Sequence, residues 1–263
     1  MMIFLKLGGS LITNKDIPFS PRKETIKRLG EEIAQAMDKN IDLKLLIGHG
    51  SGSFGHAVAH QFGTREGIHS DKDWIGFQQV WSAAHQLNQI VIDIFSEIGL
   101  PVLSFPPSAS LISKGHKIEK WVIEPIVTSI ENKLIPIVFG DVVIDQETGA
   151  TIFSTEELFS FLASKTHPDQ ILLAGIEGGV YMDYPKCQDL IPSITTASYP
   201  LISKYITTSS STDVTGGMAS KVKNMLEIIQ ANKKITIHIF SGENKDNLFR
   251  ELSGNNTGTL ISH

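Results

Sequence analysis

The chain has 263 residues, 41% hydrophobic and 19% charged, enough for one large α/β domain or two small ones. A net charge of −5, a pI near 6.0 and the lack of any basic tract argue against a nucleic-acid partner. No apolar run approaches the roughly 20 residues that span a bilayer, the first residues read as a strand rather than a signal segment, and the single cysteine, Cys187, excludes an internal disulfide and fits a reducing compartment.

Ile3-Phe4-Leu5-Lys6-Leu7 is a short apolar strand carrying one lysine, and it runs into Gly8-Gly9-Ser10, with Lys15 beyond. Parallel strands are usually buried on both faces. A buried Lys6 ammonium would need an anion, and a phosphate over the neighbouring glycines would serve. The alternative is an edge strand with Lys6 in water. No G-x-x-x-x-G-K-[ST] loop occurs. A helical pattern covers 22–38, with Ile26, Leu29, Ile33, Ala36 and Met37 at helical spacing. The next apolar strand, 43–48, breaks into His49-Gly50-Ser51-Gly52-Ser53-Phe54-Gly55-His56. Gly50, Gly52 and Gly55 let main-chain N–H groups face an anion, and His56 stands where a helix would start and can bond a phosphate. A plain strand–helix turn is the other reading. The glycines fit G-x-G-x-x-G, but no acidic residue ends a following strand about 20 residues on.

Residues 74–98 form the longest helical pattern, and Trp74, Phe77, Val80, Trp81 and His85 share one face of it. That face is either the wall of an apolar pocket or ordinary core or dimer interface. A strand at 101–104 and a helix at 119–132 precede the strand 135–139. Gly140-Asp141 then sits at a strand's carboxyl end, where α/β sheets bind ligands, although Asp141 could equally cap a turn. A hairpin is expected over 142–152, turning at Glu147-Thr148-Gly149. The helix at 155–166 starts with Ser154 or Thr155 as N-cap, and Glu156 and Glu157 favour its dipole. A strand at 171–174 follows, and Cys187 reads as an incidental loop residue. The Ser-rich stretch 207–212 reads as a mobile loop before Asp213-Val214-Thr215-Gly216-Gly217 opens a helix over 217–232. Lys221, one turn into it, opposes the helix dipole unless an anion is near; it is a phosphate contact or a free surface lysine. A strand at 235–240 closes the set.

Strand–helix alternation of this kind implies an α/β fold, a three-layer αβα sandwich around a mainly parallel open sheet. We expect one structural unit with two lobes, an acceptor lobe over about 1–165 and a nucleotide lobe over about 166–263. The nine histidines form no H-x-x-x-H pair joined to a helical carboxylate, so no direct protein ligand to a metal is expected.

Taken together, Lys6-Leu7-Gly8-Gly9-Ser10 with Lys15, the Ser53-Phe54-Gly55-His56 loop, Gly140-Asp141-Val142-Val143-Ile144-Asp145 and Asp213-Val214-Thr215-Gly216-Gly217-Met218 with Lys221 resemble the amino acid kinase superfamily, most closely the isopentenyl phosphate kinases. The pieces occur in family order over nearly the whole chain. The resemblance implies an ATP- and Mg²⁺-dependent kinase, cytoplasmic and homodimeric, that phosphorylates a prenyl phosphate. It implies that Lys6, Lys15 and Lys221 hold the transferring phosphoryl group, with Gly8, Gly9, Gly50 and Gly52 as N–H donors. His56 would bind the acceptor's phosphate, and Glu156 would stand for an aspartate that orders the lysines and the metal. Ser10, Gly175, Gly179, Asp213 and Gly216 join Lys6, Gly8, Gly9 and Lys221 on the nucleotide. Gly50, Ser51, Gly52, Gly55, Phe77, Trp81, Gly140 and Asp141 join His56 on the acceptor. The chain departs from the family at Ser154-Thr155-Glu156-Glu157, at Gly175-Ile176-Glu177-Gly178-Gly179-Val180 and at Ser51. Two rival functions are a kinase of another small phosphate or phosphonate, as fosfomycin kinases are, and a non-catalytic nucleotide sensor.

Overall fold

The computed structural model describes residues 1–55, 58, 67–206 and 217–263. Among these, eight strands form one sheet: β1 (Met2–Leu7), β2 (Lys44–His49), β3 (Val102–Ser104), β6 (Ile135–Phe139), β9 (Gln170–Gly175), β10 (Ser193–Thr195), β11 (Thr236–Ser241) and β12 (Thr259–Ser262). Their order is β10-β12-β11-β9-β1-β2-β6-β3, so the first strand of the chain lies inside the sheet. β1 pairs in parallel with β2 on one side and β9 on the other. Only the pairing of β11 with β12 is antiparallel in this sheet.

Alternation along β1 divides the interior. Ile3, Leu5 and Leu7 pack with helices α2 (Lys23–Lys39) and α3 (Asp71–Ile98). Phe4 faces the other way, toward α5 (Thr155–Thr166) and α7 (Gly217–Ala231), and meets Phe159 at 5.2 Å. With a side-chain period of two, Lys6 falls on the Phe4 side, beneath α5 and α7. Two shorter helices, α1 (Gly9–Ile12) and α4 (Glu124–Glu131), lie between these elements, and α6 (Tyr199–Ile202) and α8 (Asn247–Leu252) come later. The helices on both faces give the expected three layers.

A second sheet is ordered β5-β4-β7-β8, from β4 (Leu111–Lys114), β5 (Lys117–Trp121), β7 (Asp141–Asp145) and β8 (Gly149–Phe153). The expected 119–132 helix is corrected here. Residues 117–121 pair with β4 through a turn at Gly115 and His116, which take φ of 55° and 61°. The helix begins only at Glu124, next to Pro125, a residue suited to the first helical turn. α3 begins at Asp71, three residues before the expected 74, because Ser70 and Asp73 form a capping box.

Asp145 ties the two hairpins of this sheet together. One carboxylate oxygen accepts the N–H groups of Gly115, Glu147 and Thr148, at 3.1, 2.9 and 2.9 Å. The other accepts the His116 N–H at 2.9 Å and the Ser113 hydroxyl at 2.8 Å. Burial pushes its pKa up, but these bonds outweigh it and hold the carboxyl well below the usual aspartate range. Asp145→Asn turns an amide NH₂ against this set of donors and is expected to cost roughly 1.5–3 kcal/mol at pH 7. A depressed folded pKa gives stability that is present above the unfolded value of 3.8 and fades as pH falls below it. Urea unfolding of wild type and variant from pH 7 to pH 3 should therefore show the gap narrowing below about pH 4; a constant gap would mean that the charge is not the cause.

Candidate active site

Two glycine loops leave adjacent parallel strands at the same end, because Leu7 of β1 is in register with His49 of β2. Their main chains touch. A Cβ on Gly9 would lie 2.6 Å from the Gly52 nitrogen, and one on Gly50 would lie 3.0 Å from the Gly9 nitrogen. Gly52 also takes φ +49°, and a side chain there would meet the Thr13 hydroxyl at 2.2 Å. Thr13 clamps the loops: its hydroxyl donates to the Gly9 carbonyl at 2.8 Å and accepts the Ser53 N–H at 2.9 Å. The expected set of N–H donors is corrected by two bonds. Gly8 N–H is taken by the Ala174 carbonyl at 2.8 Å and Gly50 N–H by the Leu7 carbonyl at 3.2 Å. The N–H groups of Gly9, Ser51 and Gly52 have no partner among the described residues.

Beside these loops, Lys6 pairs with Glu156, both nearly buried. The local sequence explains how the carboxylate arrives there. Lys6 is in register with Gly48 of β2. A Cβ on Gly48 would lie 2.4 Å from the Thr155 methyl and 2.7 Å from the Phe159 ring, so a bare strand lets the start of α5 settle on the sheet. The Thr155 hydroxyl then donates to the His49 carbonyl at 2.7 Å. The two neighbouring glutamates divide their work. Glu157 closes the capping box, accepting the Ser154 N–H at 2.7 Å and donating its own N–H to Ser154 Oγ at 3.3 Å. Glu156 turns inward. Burial pushes its carboxyl pKa up, but the Lys6 and Lys221 ammoniums hold it below the ordinary glutamate value. Lys221, from the first turns of α7, is thus close enough for its charge to act on the carboxylate that Lys6 pairs with.

On the other side of the loops, Asp141 is buried where β7 begins. Its carboxylate accepts the Val142 N–H at 2.9 Å and the Ser108 N–H at 3.1 Å, and His85 Nε2 stands 3.6 Å away. Trp81 donates its indole N–H to Ser108 Oγ at 3.1 Å, and its ring lies tilted by 34° against that of His85, centroids 4.1 Å apart. The aromatic face of α3 is therefore divided. His85 reaches Asp141, Trp81 reaches Ser108, Val80 is core, Phe77 packs against that core, and Trp74 is 44% exposed with its ring edge-on to Phe77. Gly140 brings this segment to the second glycine loop: a Cβ there would lie 4.0 Å from the Ser51 nitrogen.

Gly175 ends β9 against Gly8, and Gly179 takes φ +154° where a side chain would strike Thr259 Oγ1 at 2.6 Å. Ser10 is the second residue of α1, and Gly55 follows the second loop. Lys15 is exposed on the loop between Thr13 and Pro21 and makes no ion pair among the described residues. His56, Asp213 and Gly216 lie outside the described residues.

Four residues that shape the site were not legible as such: Thr13, Gly48, Thr155 and Asn88. A glycine inside an apolar strand is a signal for close approach by another element, and Gly48 carries it.

The arrangement gathers two ammoniums, a carboxylate and unpaired N–H groups at one end of the sheet, a donor set suited to phosphate oxygens. Breaking the Lys6–Glu156 pair from either side should cost about 3–5 kcal/mol, toward the lower end for Lys6→Met because Lys221 remains. Lys6→Met with Glu156→Gln should cost clearly less than the sum of the two. Denaturant melts of the four proteins give this coupling; strict additivity would mean that the two groups do not interact.

The sequence profile of the amino acid kinase family matches residues 1–241. An isopentenyl phosphate kinase of Methanocaldococcus jannaschii is 32% identical over 270 residues, covering 99% of this chain and 98% of that one. One from Methanothermobacter thermautotrophicus is 30% identical, covering 99% of each. A solved X-ray structure of an isopentenyl phosphate kinase superposes with a TM-score of 0.84 at 28% identity, over all of both chains.

Proposed function

The chain belongs to the amino acid kinase family, and from that premise we propose that it transfers the γ-phosphoryl group of ATP to isopentenyl phosphate, releasing ADP and isopentenyl diphosphate. The observation that carries this is the nearly buried Lys6–Glu156 pair beside the two glycine loops, with the Lys221 charge acting on the same carboxylate. An oxygen of the acceptor's phosphate attacks the γ-phosphorus as the bond to the β–γ bridging oxygen breaks. That oxygen is already an anionic nucleophile, so no general base is needed. What the protein supplies is alignment and charge. Lys6 and Lys221 neutralise the equatorial oxygens, and the Glu156 carboxylate keeps the Lys6 ammonium in place. The N–H groups of Gly9, Ser51 and Gly52 complete the cradle.

The donor set suits a nucleotide that brings its own metal. Among the described residues no group of three or more His, Cys, Asp or Glu side chains could hold one. Mg²⁺ on the phosphate oxygens would supply further charge neutralisation there, and Glu156, the carboxylate paired with Lys6, would help order it. His56 is assigned to the acceptor's phosphate, Lys15 to the transferring group, and Gly175, Gly179, Asp213 and Gly216 to the nucleotide. Asp141, Ser108, Trp81 and Phe77 stand on the acceptor side, so the acceptor occupies the lobe of residues 1–165 and the nucleotide that of 166–263. The dimer and cytoplasmic setting belong to the same proposal; no described helix is long and apolar enough to cross a membrane.

The test is ADP release with ATP and Mg²⁺ from a panel of isopentenyl phosphate, dimethylallyl phosphate, geranyl phosphate, fosfomycin and acetylglutamate. Isopentenyl phosphate should give the highest kcat/KM; preference for fosfomycin or acetylglutamate would overturn the assignment. His56→Ala should lower kcat/KM for the acceptor about 10–150-fold, the loss of one charge-assisted bond of roughly 1.5–3 kcal/mol, and leave ATP binding near wild type.

Trp81→Ala tests the tail wall cleanly, because Trp81 is 38% exposed and its removal should spare the core. The ratio of kcat/KM for geranyl over isopentenyl phosphate should rise, with about 0.8 kcal/mol available per newly buried CH₂. A flat ratio would return Trp81 to a purely structural role.

A further inference from the structure

His49 closes β2, and its imidazole is fully buried. The ring lies flat on Phe139, with centroids 5.3 Å apart, and His85 meets the same phenyl ring edge-on at 5.1 Å. Nδ1 is 3.1 Å from the Gly50 carbonyl oxygen, and Nε2 is 3.2 Å from the side-chain amide of Asn88. Asn88 is a buried polar residue on the otherwise apolar inner face of α3. The other end of its amide is 2.7 Å from Ser104 Oγ.

The proton positions follow from the partners. Burial, the largest effect, lowers the His49 pKa and nearby Lys6 adds to it, against the Gly50 carbonyl that raises it, so the ring is neutral at pH 7 and carries one N–H. A carbonyl only accepts, so the proton sits on Nδ1, facing Gly50. Nε2 must then accept. The Asn88 amide lies with Oδ1 toward Nε2 and Nδ2 toward Ser104 Oγ; a bare Nε2 requires the amide turned over, its NH₂ donating to Nε2 and its oxygen accepting the Ser104 hydroxyl. The chain of donors runs Ser104 to Asn88 to His49 to Gly50.

Gly50 is thereby held at both ends, its N–H by the Leu7 carbonyl and its carbonyl by His49. A trans peptide is planar, so its C=O and the following N–H point in opposite directions. Fixing the Gly50 carbonyl toward the buried ring fixes the Ser51 N–H away from it, on the Gly140 side of the loop. We propose that His49 is a positioning residue, whose Nδ1–H pins the peptide between Gly50 and Ser51 so that the Ser51 N–H faces the acceptor's phosphate. This rests on a phosphate acceptor occupying that loop.

Two variants separate positioning from packing. His49→Phe keeps a ring on Phe139 and loses the donor. His49→Asn loses the ring but sets an amide N–H close to where Nδ1 stood. KM for isopentenyl phosphate should rise about tenfold in His49→Phe, the worth of one neutral hydrogen bond of roughly 1.4 kcal/mol. It should recover most of that in His49→Asn, with KM for ATP within about threefold of wild type in both. Equal losses in the two variants, or an equal rise for ATP, would overturn the proposal. A second measurement needs neither variant nor substrate: ¹⁵N NMR of the wild-type imidazole between pH 6 and 8. It should show a protonated Nδ1 and a bare Nε2. An Nε2–H tautomer or an imidazolium would refute it. Wild-type protein that ignores isopentenyl phosphate would sink the proposed function and leave the NMR result to decide on His49.

Discussion

A lysine ammonium and a glutamate carboxylate meet under two helices, with little water around either. Such a pair is a poor way to gain stability, since apolar residues of similar volume in its place are often neutral or better by about 1–4 kcal/mol. Its worth lies in having the charge already desolvated and aimed before a ligand arrives. Much of the architecture follows from keeping Lys6 and Glu156 together. β1 must be interior, so that Lys6 lies under helices rather than in water. Gly48 must lack a side chain, so that Thr155 and Phe159 can rest on β2. Glu157 must satisfy the helix start, leaving Glu156 free to turn inward.

The glycine loops impose a second, purely steric constraint. Backbone meets backbone at Gly9, Gly50 and Gly52, and Thr13 bridges the seam. Two phosphates that must react have to come within a bond length of each other. Loops bearing side chains would hold them apart. The bare seam lets N–H groups from both loops converge on one small volume. Below the second loop, the Phe139 ring between His49 and His85 makes a firm floor.

Six strands of the larger sheet were legible in the sequence to within a residue or so, because apolar runs with few polar interruptions have little other fate in a chain of this composition; the short β10 and β12 were not, having too few apolar residues to stand out. The 117–121 strand was not. Its Lys117, Glu119 and Lys120 point to water and its apolar Ile118 and Trp121 are spaced as a helix would also space them, so it merged with the helix that follows. The glycine loops announced themselves by residue type. The pairing of Lys6 with Glu156 did not, because adjacent glutamates at a helix start look alike until the strand beneath decides which one faces in. Asn88 was hidden for a similar reason: one polar residue in a long amphipathic helix has meaning only when its buried neighbours are known.

The position of β1 also bears on how the chain emerges during synthesis. It is made before both of its neighbours in the sheet, and the second of them, β9, starts only at Gln170. At ribosomal rates of about 5–20 residues per second, roughly 6–24 s pass between completion of β2 and the appearance of that partner. Throughout this interval one edge of an apolar strand is open to pairing with other nascent chains. Lys6 sits in that strand, and Glu156 has yet to be made. An inward-pointing lysine on an open edge is a known deterrent to intermolecular pairing. The residue on which phosphoryl transfer is proposed to depend thus also guards the growing polypeptide until its sheet is complete.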